Sequence, residues 1–337
     1  MTRVAGKPTI SVVIPNYNSA KTLPLCLASA YAQTYPPIEV IVVDDASTDN
    51  SRDLVAATDA VLLAQPVNRG VSAARNAGAA TARGDVLFFL DADVALAPDA
   101  LAAAVAELSA DPGCGCVYGV YADRPLLDDG PVEWYRVLHL HHALSRATGT
   151  TATAVFALAA VPRAVFEELG GFDEGLRAAE DDDYSERLLP RYRIRRSPAM
   201  VGYHDESDRL LPTLREQYCR AMLMPRAVHN RLRPDALVVN RGSALAAAAL
   251  AVLTSPLPLW WPPLAAVPIA LLGAFAAADP GLARFVRARK GTAFLAYFLV
   301  VHLLVNLSLV AGAATGWLRA AALPVRRTGD ATARKVM

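Results

Sequence analysis

The sequence predicts an α/β domain built on a doubly wound, mostly parallel sheet, followed by C-terminal transmembrane helices. Three observations carry that prediction. Short runs of Val, Ile and Leu alternate with stretches of helical spacing between residues 9 and 108, an order that yields parallel strands joined by helices. Acids stand directly after two of those runs, as Asp44-Asp45 and Asp91-Ala92-Asp93. The mean hydropathy is +0.28, and the apolar excess behind it lies at 243–317. Residues 1–240 are therefore expected to form one globular domain, 241–320 a membrane region of two to three helices, and 321–337 a basic tail.

Each element has its own signal. Thr9–Ile14 is a β-branched run that stops at Pro15, the signature of a buried strand. Tyr17–Ala32 carries helical spacing through Leu23, Leu27 and Tyr31. Pro36-Pro37 breaks the chain before a second strand, Ile38–Val43, which ends in Asp44-Asp45. A helix at Ser51–Ala57 and a third strand at Val61–Ala64 follow, and then a helix at Asn68–Ala82 opened by Arg69-Gly70. Asp85–Leu90 is a fourth strand running into Asp91-Ala92-Asp93, with a helix at Pro98–Leu108 behind it. Further on, Thr153–Ala160 suits a strand and Arg163–Leu169 a short helix ending at Gly170-Gly171. Glu180–Leu189 suits a helix that opens with four acids, and Arg191–Arg196 reads as a solvated face. In such sheets ligands gather beyond the carboxyl ends of strands, where Pro15, Asp45 and Asp91 fall.

Composition removes some classes of function. The 33 basic and 32 acidic residues cancel to +1, without the basic excess expected of a nucleic-acid binder. Cys26, Cys114, Cys116 and Cys219 lack the Cys-x-x-Cys spacing of a zinc site and read as free thiols. Met1–Pro8 is short and polar with no apolar core, so no secretory signal is expected and the globular domain is placed in the cytoplasm.

Three acidic clusters carry the chemistry. Adjacent carboxylates such as Asp44-Asp45 repel, and persist where hydrogen bonds, a cation or a ligand satisfies them. Asp91 and Asp93 alternate along one extended stretch, so one can coordinate a divalent ion while the other meets a sugar hydroxyl; hard cations want such oxygens. In Glu180-Asp181-Asp182-Asp183 a carboxylate held among others binds its proton more tightly, which suits a general base. Taken singly each has a plainer explanation: Asp-x-Asp is common in loops, and acids at a helix start favour the helix dipole.

The order of these motifs resembles family 2 glycosyltransferases, which have the GT-A fold. The resemblance begins at Ser11-Val12-Val13-Ile14-Pro15-Asn16-Tyr17-Asn18 and continues through Glu39–Ser51, Asn68–Gly78, Gly84–Val94, Gly170–Glu174 and Glu180-Asp181. It spans roughly residues 9 to 205 in the family's order. It implies that Pro15 and Tyr17 pack around the nucleotide base, that Asp45 reads the base, and that Asp44 supports it. Gly70 and Arg75 match the segment lining the nucleotide. Asp91, with Ala92, would face the ribose or donor sugar, and Asp93 would ligate Mg²⁺ or Mn²⁺ on the diphosphate. His204 resembles the histidine that completes the metal shell in many members. Asp181 matches the catalytic base, with Glu180 as its neighbour. The implied reaction is inverting transfer from a nucleotide-diphosphate sugar to a lipid-linked or glycan acceptor. Two departures stand out. Ser19 replaces a frequent Glu, and Gln217-Tyr218-Cys219-Arg220-Ala221 is similar to the Gln-x-x-Arg-Trp of processive synthases except that Ala221 stands for Trp. The second departure favours single-sugar transfer.

Other features are weaker. His139, His141 and His142 look like a metal cluster but lack matching acids or cysteines nearby in sequence. Trp134 and Tyr135 suit either sugar stacking or core packing. Asn306-Leu307-Ser308 fits a glycosylation triplet but sits in an apolar segment.

Phe294–Trp317 is 24 residues without charge, above the roughly 20 needed to cross a bilayer. Ser243–Ala278 is interrupted by Pro256, Pro258, Pro262 and Pro263 around Trp260-Trp261, which suits a helical hairpin turning at an interface. Arg226, Arg231, Arg233 and Arg241 precede the hairpin, and Arg284, Arg287, Arg289 and Lys290 follow it, so both flanks prefer the cytoplasm. Arg326, Arg327, Arg334 and Lys335 make the tail basic as well. Three spans at the cytoplasmic membrane, with the catalytic domain inside, are the favoured arrangement. Two other functions compete: a nucleotidylyltransferase-like enzyme, which would need a Gly-rich basic loop that Pro15–Ser19 lacks, and a non-catalytic membrane scaffold, which the acids at 91, 93 and 181 argue against.

Overall fold

A computed structural model of the chain describes residues 7–146, 149–176, 178–222 and 239–322. Arg226, Arg231, Arg233 and the basic residues of the tail lie outside the described residues. The first half alternates as expected: β1 (Ile10–Asn16), α1 (Leu23–Tyr31), β2 (Glu39–Asp44), α2 (Ser51–Ala56), β3 (Val61–Ala64), α3 (Val71–Thr81) and β4 (Val86–Leu90). Then come β5 (Val94–Leu96), α4 (Ala100–Ala110), β6 (Cys114–Tyr121), α5 (Pro131–Ser145), β7 (Gly149–Thr151), β8 (Leu158–Pro162), α6 (Arg163–Leu169), α7 (Glu180–Leu188), β9 (Arg193–His204) and α8 (Leu210–Met222).

The strands join in one sheet, in the order β3-β2-β1-β4-β8-β6-β9-β5, with β7 on β9. β3, β2, β1 and β4 are mutually parallel, whereas β8 runs antiparallel to both β4 and β6. The chain leaves β1 toward β2 on one side and returns to β4 on the other, so the order reverses at β1, where α/β sheets bind ligands. β1, β2 and β4 are almost wholly buried runs of Val, Ile, Leu and Phe, as strands covered on both faces must be. Beneath the strand ends, Phe89, Phe156, Phe172 and Tyr184 pack edge to face, with centroids 4.8–5.8 Å apart.

Several expectations needed correction. β1 continues through Pro15, which pairs with Val43 in register one residue before the strand ends, a position where a missing N–H costs little. Residues 17–22 form a loop rather than the start of α1. Asn18 takes φ 54° and its Oδ1 accepts from the Thr48 and Asp49 amides, so the loop is tied to β2's exit instead of winding up. The Arg-rich stretch is no solvated face: it opens β9. Arg193 pairs with Asp111 and Arg195 reaches Glu107 at 3.1 Å, while Ile194 and Arg196 point inward. The strand expected at Thr153–Ala160 begins only at Leu158.

The C-terminal region is helical: α9 (Gly242–Thr254), α10 (Ala266–Ala276) and α11 (Pro280–Ala322). α9 and α10 pack against each other across two short 3₁₀ turns that contain the prolines, and Trp260 at this bend is 88% exposed. The expected hairpin is thus present. α11 kinks at Gly291, whose φ is +81°. Gly242–Leu259 and Pro280–Ala320 are long and apolar enough to cross a membrane, and only 22% and 28% of their most apolar windows are buried.

α8 carries the Gln-x-x-Arg-Ala stretch and packs along α11. A Cβ at Gly312 would lie 2.2 Å from the Tyr218 carbonyl and 3.0 Å from the Ala221 Cβ, and one at Gly316 would lie 2.3 Å from the Met222 carbonyl. This small-residue groove accounts for Ala221: an indole there would collide with α11. Tyr218 Oη donates to Thr315 Oγ1 at 2.9 Å, and Ser308 Oγ donates to the Leu214 carbonyl, also at 2.9 Å. Ser308 is therefore spent in packing and Asn306 is wholly buried, which removes the glycosylation triplet from consideration. Gly312→Leu is expected to pry α8 from α11 and cost about 1–3 kcal/mol, as overpacking does; thermal melting in detergent checks this, with Gly273→Leu, a position with open space around it, as the control.

Candidate active site

Four chain segments meet beyond the carboxyl ends of β1, β2 and β4. The first is the exit of β2. Asp44 is fully buried and its oxygens accept from Asn16 Nδ2 at 2.9 Å, from the Ser47 amide at 3.1 Å and from Arg52 Nε at 2.5 Å. Burial opposes ionisation, but Ser47, Arg52 and Asn16 together hold the carboxyl below its usual range. Asp44 thus shapes the loop and has no oxygen left for a ligand. Asp45 is 4% exposed and accepts from the Arg69 amide at 2.7 Å and the Gly70 amide at 2.8 Å. This bond pair draws the 68–70 loop over β2, and Gly70 can meet it because it takes φ 92° just before α3. Pro15 is half-buried at the end of β1, and Tyr17 stands exposed beside it.

Arg75, on α3, is the hub. Only 2% of it is exposed. Nη2 donates to Asp91 Oδ1 at 3.0 Å, and Nη1 lies 3.4 Å from Glu180 Oε1 and 3.3 Å from Asp181 Oδ1. Its guanidinium also lies over the Phe172 ring, 5.4 Å from the centroid. Its Nη donors are turned to three carboxylates, and it gathers acids from β4's exit and from α7. The next residue, Asn76, docks the Gly170-Gly171 turn, giving Nδ2 to the Phe172 carbonyl at 2.9 Å and accepting the Phe172 amide at 2.8 Å. The Arg-Asn pair and the Gly-Gly-Phe turn are therefore two halves of one joint.

Asp181 sits at the mouth of α7. Oδ2 accepts the Phe156 amide at 3.1 Å. Burial pushes its carboxyl up to about 7, with Glu180 and Asp91 adding to the rise while Arg75 and the Phe156 amide oppose it. Burial raises Asp91 too, against the pull of Arg75. Ala92 is buried between the two acids.

Asp93 and His204 lie across from one another on β5's approach and β9's end, where Val94 pairs with His204. His204 Nε2 is 3.5 Å from Asp93 Oδ1, and Nδ1 is 3.0 Å from Glu206 Oε1. The ring stacks on Tyr121 with centroids 4.6 Å apart. Glu206 is itself held by Arg136 at 3.1 Å. Burial alone would lower the histidine, but Asp93 and Glu206 hold it well above its usual value. Asp93 Oδ1 is buried without a hydrogen-bond partner. An orphaned carboxylate oxygen beside an imidazole whose far nitrogen is fixed by a carboxylate suits a divalent cation. Asp93 and His204 are the donors that would hold it.

The sequence reading missed Glu206, Arg136 and Tyr121. Glu206 carried a signal, since His204 and Glu206 stand two apart at a strand end; Arg136 and Tyr121 had none, because α5 and β6 reach the site only through the fold. The three histidines of α5 diverge. His139 packs between Tyr135 and His302, His141 Nδ1 meets the Tyr121 carbonyl at 2.7 Å, and His142 faces Asp279. They share no ligand position. Tyr135 is wholly buried in the core against α11, and Trp134 packs beside it.

Known proteins resemble this chain in sequence and in fold. A model of glycosyl transferase family 2 matches residues 11–170. The pre-mycofactocin glycosyltransferase of Mycobacterium tuberculosis is 30% identical over 251 residues, 70% of this chain and 51% of that protein. An uncharacterized glycosyltransferase of Nostoc is 47% identical over 89 residues, 25% of this chain and 28% of that protein. These matches thus span less than two thirds of the relatives' own length. Among solved structures, a mannosyltransferase from Pyrobaculum calidifontis, in complex with GDP-Man and Mn²⁺, superposes with a TM-score of 0.57 at 25% identity, covering 93% of this chain and 88% of that one. The sheet order, with its parallel half and its reversal at β1, is accordingly that of the GT-A fold. The match to glycosyl transferase family 2 thus covers the part of the chain that builds β1 to α6.

Proposed function

We propose that the protein transfers a sugar from a nucleotide-diphosphate donor to an acceptor hydroxyl, with inversion, at the cytoplasmic face of a membrane. One observation carries this reading: a single buried guanidinium, Arg75, binds Asp91 together with Glu180 and Asp181, so an acid suited to a donor and an acid suited to a base share one cleft.

Asp181 is the base. It takes the proton of the acceptor hydroxyl as that oxygen forms a bond to the anomeric carbon. The bond from that carbon to the phosphate oxygen breaks in the same displacement, and its electron pair leaves with the nucleoside diphosphate. One in-line displacement inverts the anomeric centre, and no covalent enzyme intermediate is required. Arg75 holds the base and Asp91 at fixed separation, the kind of positioning that lowers barriers without chemistry of its own. Asp91 orients the ribose or donor sugar. A Mg²⁺ or Mn²⁺ ion, when held by Asp93 and His204, would neutralise charge on the departing diphosphate. The Mn²⁺ and GDP-Man named in the Pyrobaculum complex support a donor and a cation of these classes.

The base of the nucleotide is read at the exit of β2. With both Asp45 oxygens engaged by amides, its influence runs through the 68–70 loop, while Pro15 and the exposed Tyr17 offer the contact surface. The two apolar helices support a membrane anchor, and an acceptor that is lipid-linked or part of an envelope glycan fits such a site. The basic residues at 284–290 favour a cytoplasmic catalytic domain. A panel of nucleotide sugars tested for Mn²⁺-dependent binding, followed by membrane extract as acceptor, tests the reading. One donor should bind in a cation-dependent manner and its sugar should appear in the membrane fraction. Binding of no nucleotide sugar at all would refute it.

A further inference from the structure

A second group of acids stands beside the catalytic cleft and takes no part in the mechanism above. Asp129 precedes α5, Glu133 lies in its first turn and Asp205 follows His204 on leaving β9. One carboxylate oxygen of each lies within 4.8 Å of the others. The group has a partial counter-ion in Lys21, whose Nζ contacts Asp129 and lies 3.5 Å from Asp205 Oδ1.

Lys21 does not account for the site. Glu133 is 0% exposed; its Oε2 accepts the Asp129 amide at 2.8 Å, but Oε1 is buried with no hydrogen bond. Burial pushes its carboxyl up to about 7, with Asp205 and Asp129 adding to the rise while the Asp129 and Glu206 amides oppose it. Asp205 Oδ1 likewise lacks a hydrogen bond. Three acids therefore stand about one ammonium, and the most deeply buried of them keeps one oxygen without a hydrogen bond. Retaining such an oxygen is costly unless something satisfies it. Lys21, by contrast, has a side chain 55% exposed on a loop and a flexible stem, so its ammonium can move into solvent.

We propose that Asp129, Glu133 and Asp205 bind a second divalent cation, distinct from the one assigned to Asp93, and that Lys21 holds the place when the cation is absent. The donors are all oxygens, which selects a hard ion. Ca²⁺ takes such oxygens at about 2.3–2.6 Å in flexible geometry, whereas Mg²⁺ demands a near-ideal octahedron. A bound ion would clasp the N-terminus of α5 to the strand end that carries His204. The Asp205 amide donates to the Asp93 carbonyl at 2.9 Å, so the clasp would bear directly on the backbone of both proposed ligands of the catalytic cation.

The test is calorimetric titration of the full-length protein in detergent with CaCl₂, in an Asp93→Ala background that removes the other site. One equivalent of Ca²⁺ should still bind. Adding Glu133→Gln should weaken it about tenfold or more, whereas Lys21→Met, which removes the competing ammonium, should tighten it by a similar factor. Asp129→Asn serves if the Glu133 variant fails to fold. A cluster that is only a salt bridge would give no Ca²⁺ binding after Asp93→Ala, or binding that Glu133→Gln and Lys21→Met leave unchanged, and either result overturns the proposal. Because the readout is binding of the ion alone, it stands apart from whether the protein transfers sugar.

Discussion

Asp181→Asn is expected to reduce transfer by about 10²–10⁴-fold, the range a positioned base contributes, while leaving donor binding intact. Asn keeps an oxygen for the Phe156 amide, but its NH2 cannot accept from Arg75 as Oδ1 does and it cannot take a proton. The same side chain sets the pH profile. As a base it must be ionised, and its carboxyl is pushed up to about 7 by burial, so turnover should rise with pH and level off above about 7. Stability should run the other way. A carboxyl whose folded value lies above its unfolded one favours folding when protonated, and this contribution is lost as pH rises from about 4 through 7. At pH 8 the Asn variant should therefore melt no lower than the parent. Steady-state rates across pH 5–9 and melting curves at pH 8 check both halves. A variant that transfers sugar at the parental rate would remove Asp181 from the mechanism.

That prediction rests on a residue the sequence marked, and the markings were uneven for physical reasons. β1 to β4 announced themselves because buried parallel strands are continuous apolar runs, and the acids follow them in chain order. α5, β6 and β9 were obscured. β9 carries Arg193, Arg195 and Arg196, whose charges conceal the alternation that places Ile194 and Arg196 inside, and β6 is diluted by Gly115 and Gly119, where a Cβ would strike Tyr192 and the Met200 carbonyl. The site was legible as separate acids but not as an assembly. Nothing along the chain says that Arg75 spans 106 positions to Asp181, or that Glu206 and Arg136 stand behind His204. Long-range ion pairs are a property of the fold, and motif order stands in for them only as far as a family resemblance carries.

The second large effect is expected at the cation. Asp93→Ala should weaken cation-dependent donor binding by about a hundredfold or more, because it removes a hard oxygen ligand and also the partner that faces His204 Nε2 at 3.5 Å. Glu206→Gln should cost less, about 10–100-fold, as a change behind a ligand does: the histidine keeps its place against Tyr121 but loses the carboxylate that fixes its Nδ1. The ranking separates two accounts of this corner of the site. If His204 served only as a charged partner for Asp93, removing either acid would alter stability and leave the dependence on Mn²⁺ unchanged. If it is a ligand, the Glu206 variant should need more Mn²⁺ for half-maximal donor binding, and a saturating chelator should bring the parent down to the level of Asp93→Ala. Donor titrations at graded Mn²⁺ distinguish them, and parental affinity in Asp93→Ala with no response to chelator would rule out the cation at this position.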